Sequence, residues 1–206
     1  MWRDEERGPV LSGRPSYGRS QAGIVSRFDL ARQSRFRPQL QGRFTAALAG
    51  EREREAALGA SARLARSVPV RIVTEARLTE TDRGEELRGA AFAVSELPLI
   101  DLPGGLVGEA YAQAGYVSGH YSTAFIDGQV RAMREFFRKG PARLAVGGGA
   151  WGGAQSDANR LDVGPSAALS VRVGDINARV MADYRVRVAG GAEPSSGPAV
   201  TVAAGF

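Results

Sequence analysis

From Ile176 to Val188 the chain alternates without a break between two kinds of residue. Ile176, Ala178, Val180, Ala182, Tyr184, Val186 and Val188 fall on one side; Asn177, Arg179, Met181, Asp183, Arg185 and Arg187 fall on the other. A helix of this order would carry charge all round its circumference, whereas a strand, whose side chains point alternately to opposite faces, divides it cleanly. Strands in soluble proteins average roughly 5–6 residues, and a tilted strand that crosses a bilayer needs about 9–11. A run of 13 alternating residues therefore points to a long strand, and its length to a membrane.

The same period recurs upstream. Leu161, Val163, Pro165, Ala167, Leu169, Val171 and Val173 oppose Arg160, Asp162, Gly164, Ser166, Ala168, Ser170 and Arg172, with the tight turn Gly174-Asp175 leading into the next run. Pro165 has no N–H for a ladder, so a bulge is expected there. Similar alternation marks 20–31, 38–49, 68–79, 105–117 and 124–136, while 86–97 fits either register and 141–154 is rich in glycine. Glu51 to Arg66 has the propensities of a helix, but its place between two strand-like stretches with short gaps favours strand 53–66. Adding 160–173, 175–189 and 198–206 gives eleven strands joined by turns or short loops. No stretch leaves room for a crossover helix, so the sheet is expected to be antiparallel. Closing it removes the bare edges. The fold class expected is all-β: an up-and-down transmembrane β-barrel of about 11–12 strands, whole or part of a larger barrel. Residues 20–206 form its single domain, and 1–19 form a polar segment offering at best a poor strand.

Composition bears on which solvent the barrel meets. Apolar residues make up 43% of the chain, yet aromatics supply only 7%, so bulky side chains for a packed core are scarce. A barrel that uses lipid as its apolar solvent has less need of them. Its outside is then apolar and its lumen polar. On this register Arg43, Arg71, Glu75, Arg77, Glu109, Asp127, Arg131, Arg143, Asp162, Arg172, Arg179, Asp183, Arg185 and Arg187 line the lumen, joined by Arg63 and Glu135. Their mixture of signs predicts a lumen partly plugged by ion pairs, and the arginine excess a mild preference for anions. Tyr116, Phe136, Phe137 and Phe206 near strand ends are candidates for interfacial girdles. The competing reading is an ordinary sandwich whose charges form a solvated outer face.

At the C-terminus, Val200, Val202, Ala204 and Phe206 alternate into a terminal aromatic, which resembles the signal by which outer-membrane barrels are recognised by their insertion machinery. The runs GGGAWGGAQ (147–155), RLDVGPS (160–166) and DYRVRVAGGAEPSSGPAVTV (183–202) resemble the C-terminal barrel of large bacterial outer-membrane proteins that carry upstream periplasmic tetratricopeptide repeats, among them phage-adsorption receptors and exopolysaccharide exporters. That resemblance covers about half the chain, and the chain itself has no tetratricopeptide period. It implies a non-catalytic outer-membrane pore or exit domain. The partners implied are outer-membrane lipid, the insertion machinery and an acidic or neutral polysaccharide.

Two other classes compete with this reading. A soluble arginine-rich β-protein that binds nucleic acid needs its basic residues in one patch with exposed aromatics; here arginines are spread over nearly every strand among carboxylates, so no nucleic-acid partner is expected. A barrel-rim hydrolase would have to use His120, the sole histidine, beside Ser118 and Ser122; a loop histidine near serines is far more often without such a role. Without cysteine or clustered histidine, no metal or cofactor site is expected. No stretch of 18 apolar residues forms a transmembrane helix, and Met1 to Gly8 leads into no signal-peptide core. Bacterial single-chain barrels have even strand numbers. Eleven strands without a leader therefore suggest an N-terminally truncated portion of a longer outer-membrane protein.

Overall fold

The computed structural model describes residues 21–31, 33–47, 53–81, 84–119, 122–156, 158–174, 176–192 and 196–205. They form β1 (Gln21–Asp29), β2 (Gln39–Ala47), β3 (Glu53–Arg63), β4 (Val70–Thr81), β5 (Gly84–Ser95), β6 (Ile100–Leu102), β7 (Leu106–Val117), β8 (Thr123–Lys139), β9 (Ala142–Gln155), β10 (Ala158–Val173), β11 (Ile176–Ala189) and β12 (Gly197–Gly205). A 3-10 turn at Pro103–Gly105 precedes β7, and the described residues contain no α-helix. The helix-like stretch resolves as strand: β3 pairs with β2 on one side and β4 on the other. Two ladders satisfy its backbone, and that outweighs local propensity.

Strands adjacent in sequence are adjacent in the sheet, and every pair is antiparallel; the path runs β1-β2-β3-β4-β5-β7-β8-β9-β10-β11-β12. Short β6 lies off this path and pairs with the start of β7, Ile100 opposite Gly108 and Leu102 opposite Leu106. It is too short to show alternation, so the sequence does not reveal it. The β5–β7 ladder is brief, with Ala90–Val94 against Val117–Gln113, and Glu96–Leu99 then leave the sheet. Among the described residues no ladder joins β1 to β12.

The bulge expected at Pro165 is not there. Pro165 stays in register opposite Gly148 of β9, and the β10–β11 ladder shifts instead between Leu161 and Asp162. The β11 ladder passes over Gly164 and Pro165, which accommodates the missing N–H without an extra residue. A second irregularity lies in β8 between Glu135 and Phe137.

Alternation along the strands sorts the side chains onto two faces. Leu58, Ile72, Leu78, Leu87, Ile126, Val130, Leu169, Val180, Val186, Val200 and Val202 are exposed, whereas Arg43, Glu55, Arg71, Glu75, Arg77, Arg131, Asp162 and Asp183 are buried. Leu58 is 74% exposed and Asp162 only 2%. The charged face is the inner one because the sheet curls. Arg131 of β8 reaches Asp183 of β11 at 3.0 Å, and Arg179 of β11 reaches Glu109 of β7 at 3.1 Å. In a flat sheet these strands would stand about 14 Å and 19 Å apart, at roughly 4.8 Å per step. Arg27 of β1 and Tyr111 of β7 are also close enough to interact electrostatically. Among the described residues one apolar cluster forms inside, of Val73, Ala90, Phe92 and Val117, flanked by Val94 and Phe125, behind the brief β5–β7 ladder; Ala57, Met133, Trp151 and Ala168 are buried apart from it.

Candidate functional site: the polar interior

In the first half of the sheet the inner charges form one compact cluster. The Arg43 guanidinium donates to Glu55 at 2.8 Å and to Glu75 at 3.3 Å, Arg77 donates to Glu75 at 3.0 Å, and Gln41 donates to Glu75 at 2.6 Å. Thr79 donates to the second oxygen of Glu55 at 3.1 Å. The cluster spans β2 to β4 because β3 presents only Ala57 and Gly59 between them: Ala57 lies opposite Arg43 and Arg77, Gly59 opposite Gln41 and Glu75. A Cβ on Gly59 would come within 2.3 Å of the Thr74 carbonyl oxygen and 2.7 Å of Glu75 Cγ. Glycine here leaves room for the carboxylate to cross.

In the second half the ties are longer. Asp183 accepts from Arg131 at 3.0 Å and from the Ser166 hydroxyl at 2.6 Å, with Arg185 at 3.5 Å. Arg131 faces Gly149 of β9, and Gly149 faces Gly164 of β10. Two successive glycines thus separate β8 from β11 where the guanidinium passes. The Trp151 ring occupies this space, with Arg131 5.4 Å and Arg185 4.8 Å from its centroid. A Cβ on Gly149 would meet Trp151 Cζ2 at 2.9 Å. Beside it Arg160 donates to both oxygens of Asp162, at 2.7 and 2.6 Å. These pairs are charge-assisted and almost wholly removed from the surface, with Arg131 and Asp183 side chains 2% and 1% exposed.

At the end of the sheet that carries the turns at Gly140 and Gly174, here termed the upper end, a third cluster gathers around Glu96. Glu96 accepts from Arg63 at 2.6 Å and from Arg71 at 2.9 Å, and Arg71 also donates to the Arg37 carbonyl and the Ser61 hydroxyl. Burial pushes the Glu96 carboxyl up, but the hydrogen bonds and charges of Arg71 and Arg63 outweigh it and hold the group below the usual carboxylate range.

Of the residues expected to line a lumen, Arg43, Arg71, Glu75, Arg77, Arg131, Asp162 and Asp183 are buried on the inner face. Glu109, Asp127, Arg179, Arg185 and Arg187 are half-buried on that face, as is Arg63. Arg143, Arg172 and Glu135 are exposed at the upper end, where β8 and β9 extend past β7. Glu55 and Glu96 are not among the residues alternation singles out, whereas Arg160 falls on the polar face by alternation without being assigned to the lumen, and Trp151 lies on that face of glycine-rich β9. Glu55 is hidden by the run Glu51-Arg52-Glu53-Arg54-Glu55, which puts charge in both registers. Of the C-terminal signal, Val200 and Val202 are exposed, Ala204 lies in β12 opposite Ala178, and Phe206 is outside the described residues. His120 and residues 1–19 are also outside them.

No group of His, Cys, Asp or Glu among the described residues could hold a metal ion. The inner groups include paired arginines and carboxylates, an arrangement suited to tying strands together. Compared with known proteins, the chain matches no family model, no curated protein and no solved structure.

Proposed function

We propose that this chain is a transmembrane β-barrel domain of the bacterial outer membrane, non-catalytic, with its exposed apolar face in lipid and its charged face toward the barrel interior. The observation that carries this reading is the inversion of burial. Arginine, glutamate and aspartate fill the inside, and leucine, isoleucine, valine and phenylalanine cover the outside. In water that arrangement forfeits hydrophobic burial over the whole outer face; in lipid the apolar outer face carries no such cost, and it is a charge placed outside that is expensive. Along β11 the outer positions Ala178, Val180, Ala182, Tyr184, Val186 and Val188 carry no charge. Ten residue steps span about 33 Å along the strand. At a tilt of about 40° that gives about 25 Å along the bilayer normal, the height of the apolar band of such barrels.

Within this reading the sheet closes, since lipid leaves no partner for open edges. β1 and β12 run in the same direction at the two ends of the path, so antiparallel closure needs one further strand between them. Of the roles implied by the resemblance, the interior favours a membrane-embedded wall or receptor domain over an open pore. An acidic or neutral polysaccharide would have to part the Arg131–Asp183 and Arg179–Glu109 ties in order to pass.

The test is refolding of the full chain with and without phospholipid vesicles. The expected product is a vesicle-bound, protease-resistant species whose electrophoretic mobility shifts on heating. A folded, monodisperse monomer in detergent-free buffer would overturn the membrane reading and favour a soluble β-protein.

A further inference from the structure

The two ends of the outer face differ in charge. At the lower end the outward charges are mixed, with Arg54 facing Glu80 and Glu80 facing Glu85 across the β3–β4–β5 ladders. At the upper end they are cationic and sit among exposed aromatics. β8 runs on past Leu106, where β7 begins opposite Arg134, by residues 135–139, about 17 Å of strand. The irregularity between Glu135 and Phe137 changes which residues face out: Phe137 comes opposite outward-facing Leu144, and Phe136 bulges between. Both rings are exposed, Phe136 at 76% and Phe137 at 51%. Arg134 lies just below them and Lys139, the only lysine in the chain, just above. The stretch 134–143 holds four cations and one carboxylate, and that carboxylate, Glu135, is hydrogen-bonded to Arg138 at 2.8 and 2.7 Å. At the same end, in the loop after β1, Arg35 stacks on exposed Phe36 at 4.6 Å.

We infer that this corner is a docking surface for anionic phospholipid headgroups, with Phe136 and Phe137 seated at the acyl boundary and Arg134 and Lys139 reaching to lipid phosphate. The inference deepens the membrane reading and rests on it. Long cationic stems beside apolar rings at a membrane edge extend to the headgroups while the rings remain in the apolar layer. A bulge that only relieved strain would not have to place a second aromatic outward between two cations. The lower end, with Glu80 and Glu85 exposed on the outer face, lacks the complementary charge.

The experiment uses the full chain folded in zwitterionic detergent micelles and follows backbone amide signals during titration with short-chain phosphatidylglycerol, short-chain phosphatidylcholine or inorganic phosphate. Phosphatidylglycerol should shift residues 134–143 and 172 saturably, phosphatidylcholine should do so far more weakly, and inorganic phosphate should leave them unmoved. Each cation near a membrane surface contributes roughly fivefold. Arg134→Gln with Lys139→Gln should therefore weaken the phosphatidylglycerol response about 25-fold, and Phe136→Ala should weaken both lipids together. Equal responses to the two lipids, an equal response to free phosphate, or an undiminished response in the double variant would overturn the headgroup site and leave the membrane reading standing. A chain that folds as a monomer without detergent would overturn both.

Discussion

The two halves of the sheet use the same chemistry at different reach. In β2–β4, Arg43 meets Glu75 across a single intervening strand, β3, whose inward residues on the line between them are Ala57 and Gly59, while Glu55 of β3 itself and Arg77 complete the cluster. In β8–β11, Arg131 meets Asp183 across two strands, with Gly149 and Gly164 on the line between. Arginine and carboxylate are present in both. In both, small inward residues, alanine or glycine, lie on the line between the partners. Glycine weakens a strand locally, yet here it lets the sheet bend far enough for charges several strands apart to pair. The brief β5–β7 ladder separates the two systems, and the apolar cluster around Phe92 lies against it instead of an ion pair.

The largest expected effect tests whether the halves are independent. Asp183→Ala leaves Arg131 and Arg185 without their shared carboxylate, and removing one partner of a buried pair costs about 3–5 kcal/mol. Hydrogen exchange should then quicken across β8–β11 while β2–β4 keeps its protection. Glu75→Ala should do the reverse. Loss of protection spread evenly over both halves in either variant would show one cooperative system, and the contrast drawn above would fail.

The outer face should not distinguish the halves at all. Leu58→Arg on β3 and Val180→Arg on β11 each place a cation on the exposed apolar face, which under the proposed membrane reading costs about 2–4 kcal/mol near the bilayer midplane. Met181→Arg, one position along and turned inward, should be tolerated. Vesicle-folding yields for the three variants measure this, and equal yields for Val180→Arg and Met181→Arg would sink the assignment of faces. A smaller effect belongs to the second half alone. Trp151→Leu removes two cation–π contacts, worth about 1–2 kcal/mol together. The urea midpoint of the vesicle-bound protein should fall accordingly, with no change in exchange over β2–β4.

Strand positions were largely legible in the sequence because a period of two survives wherever one face is charged and the other apolar. β10 and β11 show this most plainly, and each of the eleven expected strands has its counterpart. The charges that alternation places on the polar face are buried or half-buried through the strand middles, from Arg43 to Arg187. At the upper end Arg143 and Arg172 are exposed, because β8–β10 outrun β7. Which charge pairs with which was not legible. Arg131 and Asp183 are 52 residues apart, and only the curl of the sheet brings them together. The signal for that curl is present, in the inward glycines at 147, 149 and 164, but alternation alone marks them as gaps in a pattern and not as passages.

The smallest effect concerns the seam between the halves. Glu96, just beyond β5, is held by Arg63 of β3 and Arg71 of β4, and its backbone N–H donates to the Pro69 carbonyl at 2.7 Å. It fixes the edge of the first half where β5 leaves the sheet. Its folded carboxyl titrates below the usual carboxylate range, since Arg71 and Arg63 outweigh the upward push of burial. A depressed carboxylate contributes stability that is present above the ordinary value, near pH 4, and disappears as pH falls through the folded value. Glu96→Gln should therefore lower stability at pH 7 by about 1 kcal/mol. That gap should narrow as pH falls through the folded value and the wild-type carboxyl becomes neutral too. Urea midpoints of the two proteins, followed from pH 7 downward through the acid range, read this directly. A gap that stays constant over the whole range in which both proteins fold would mean that shape, not charge, holds the end of β5, and that the first half ends at the seam without an electrostatic clasp.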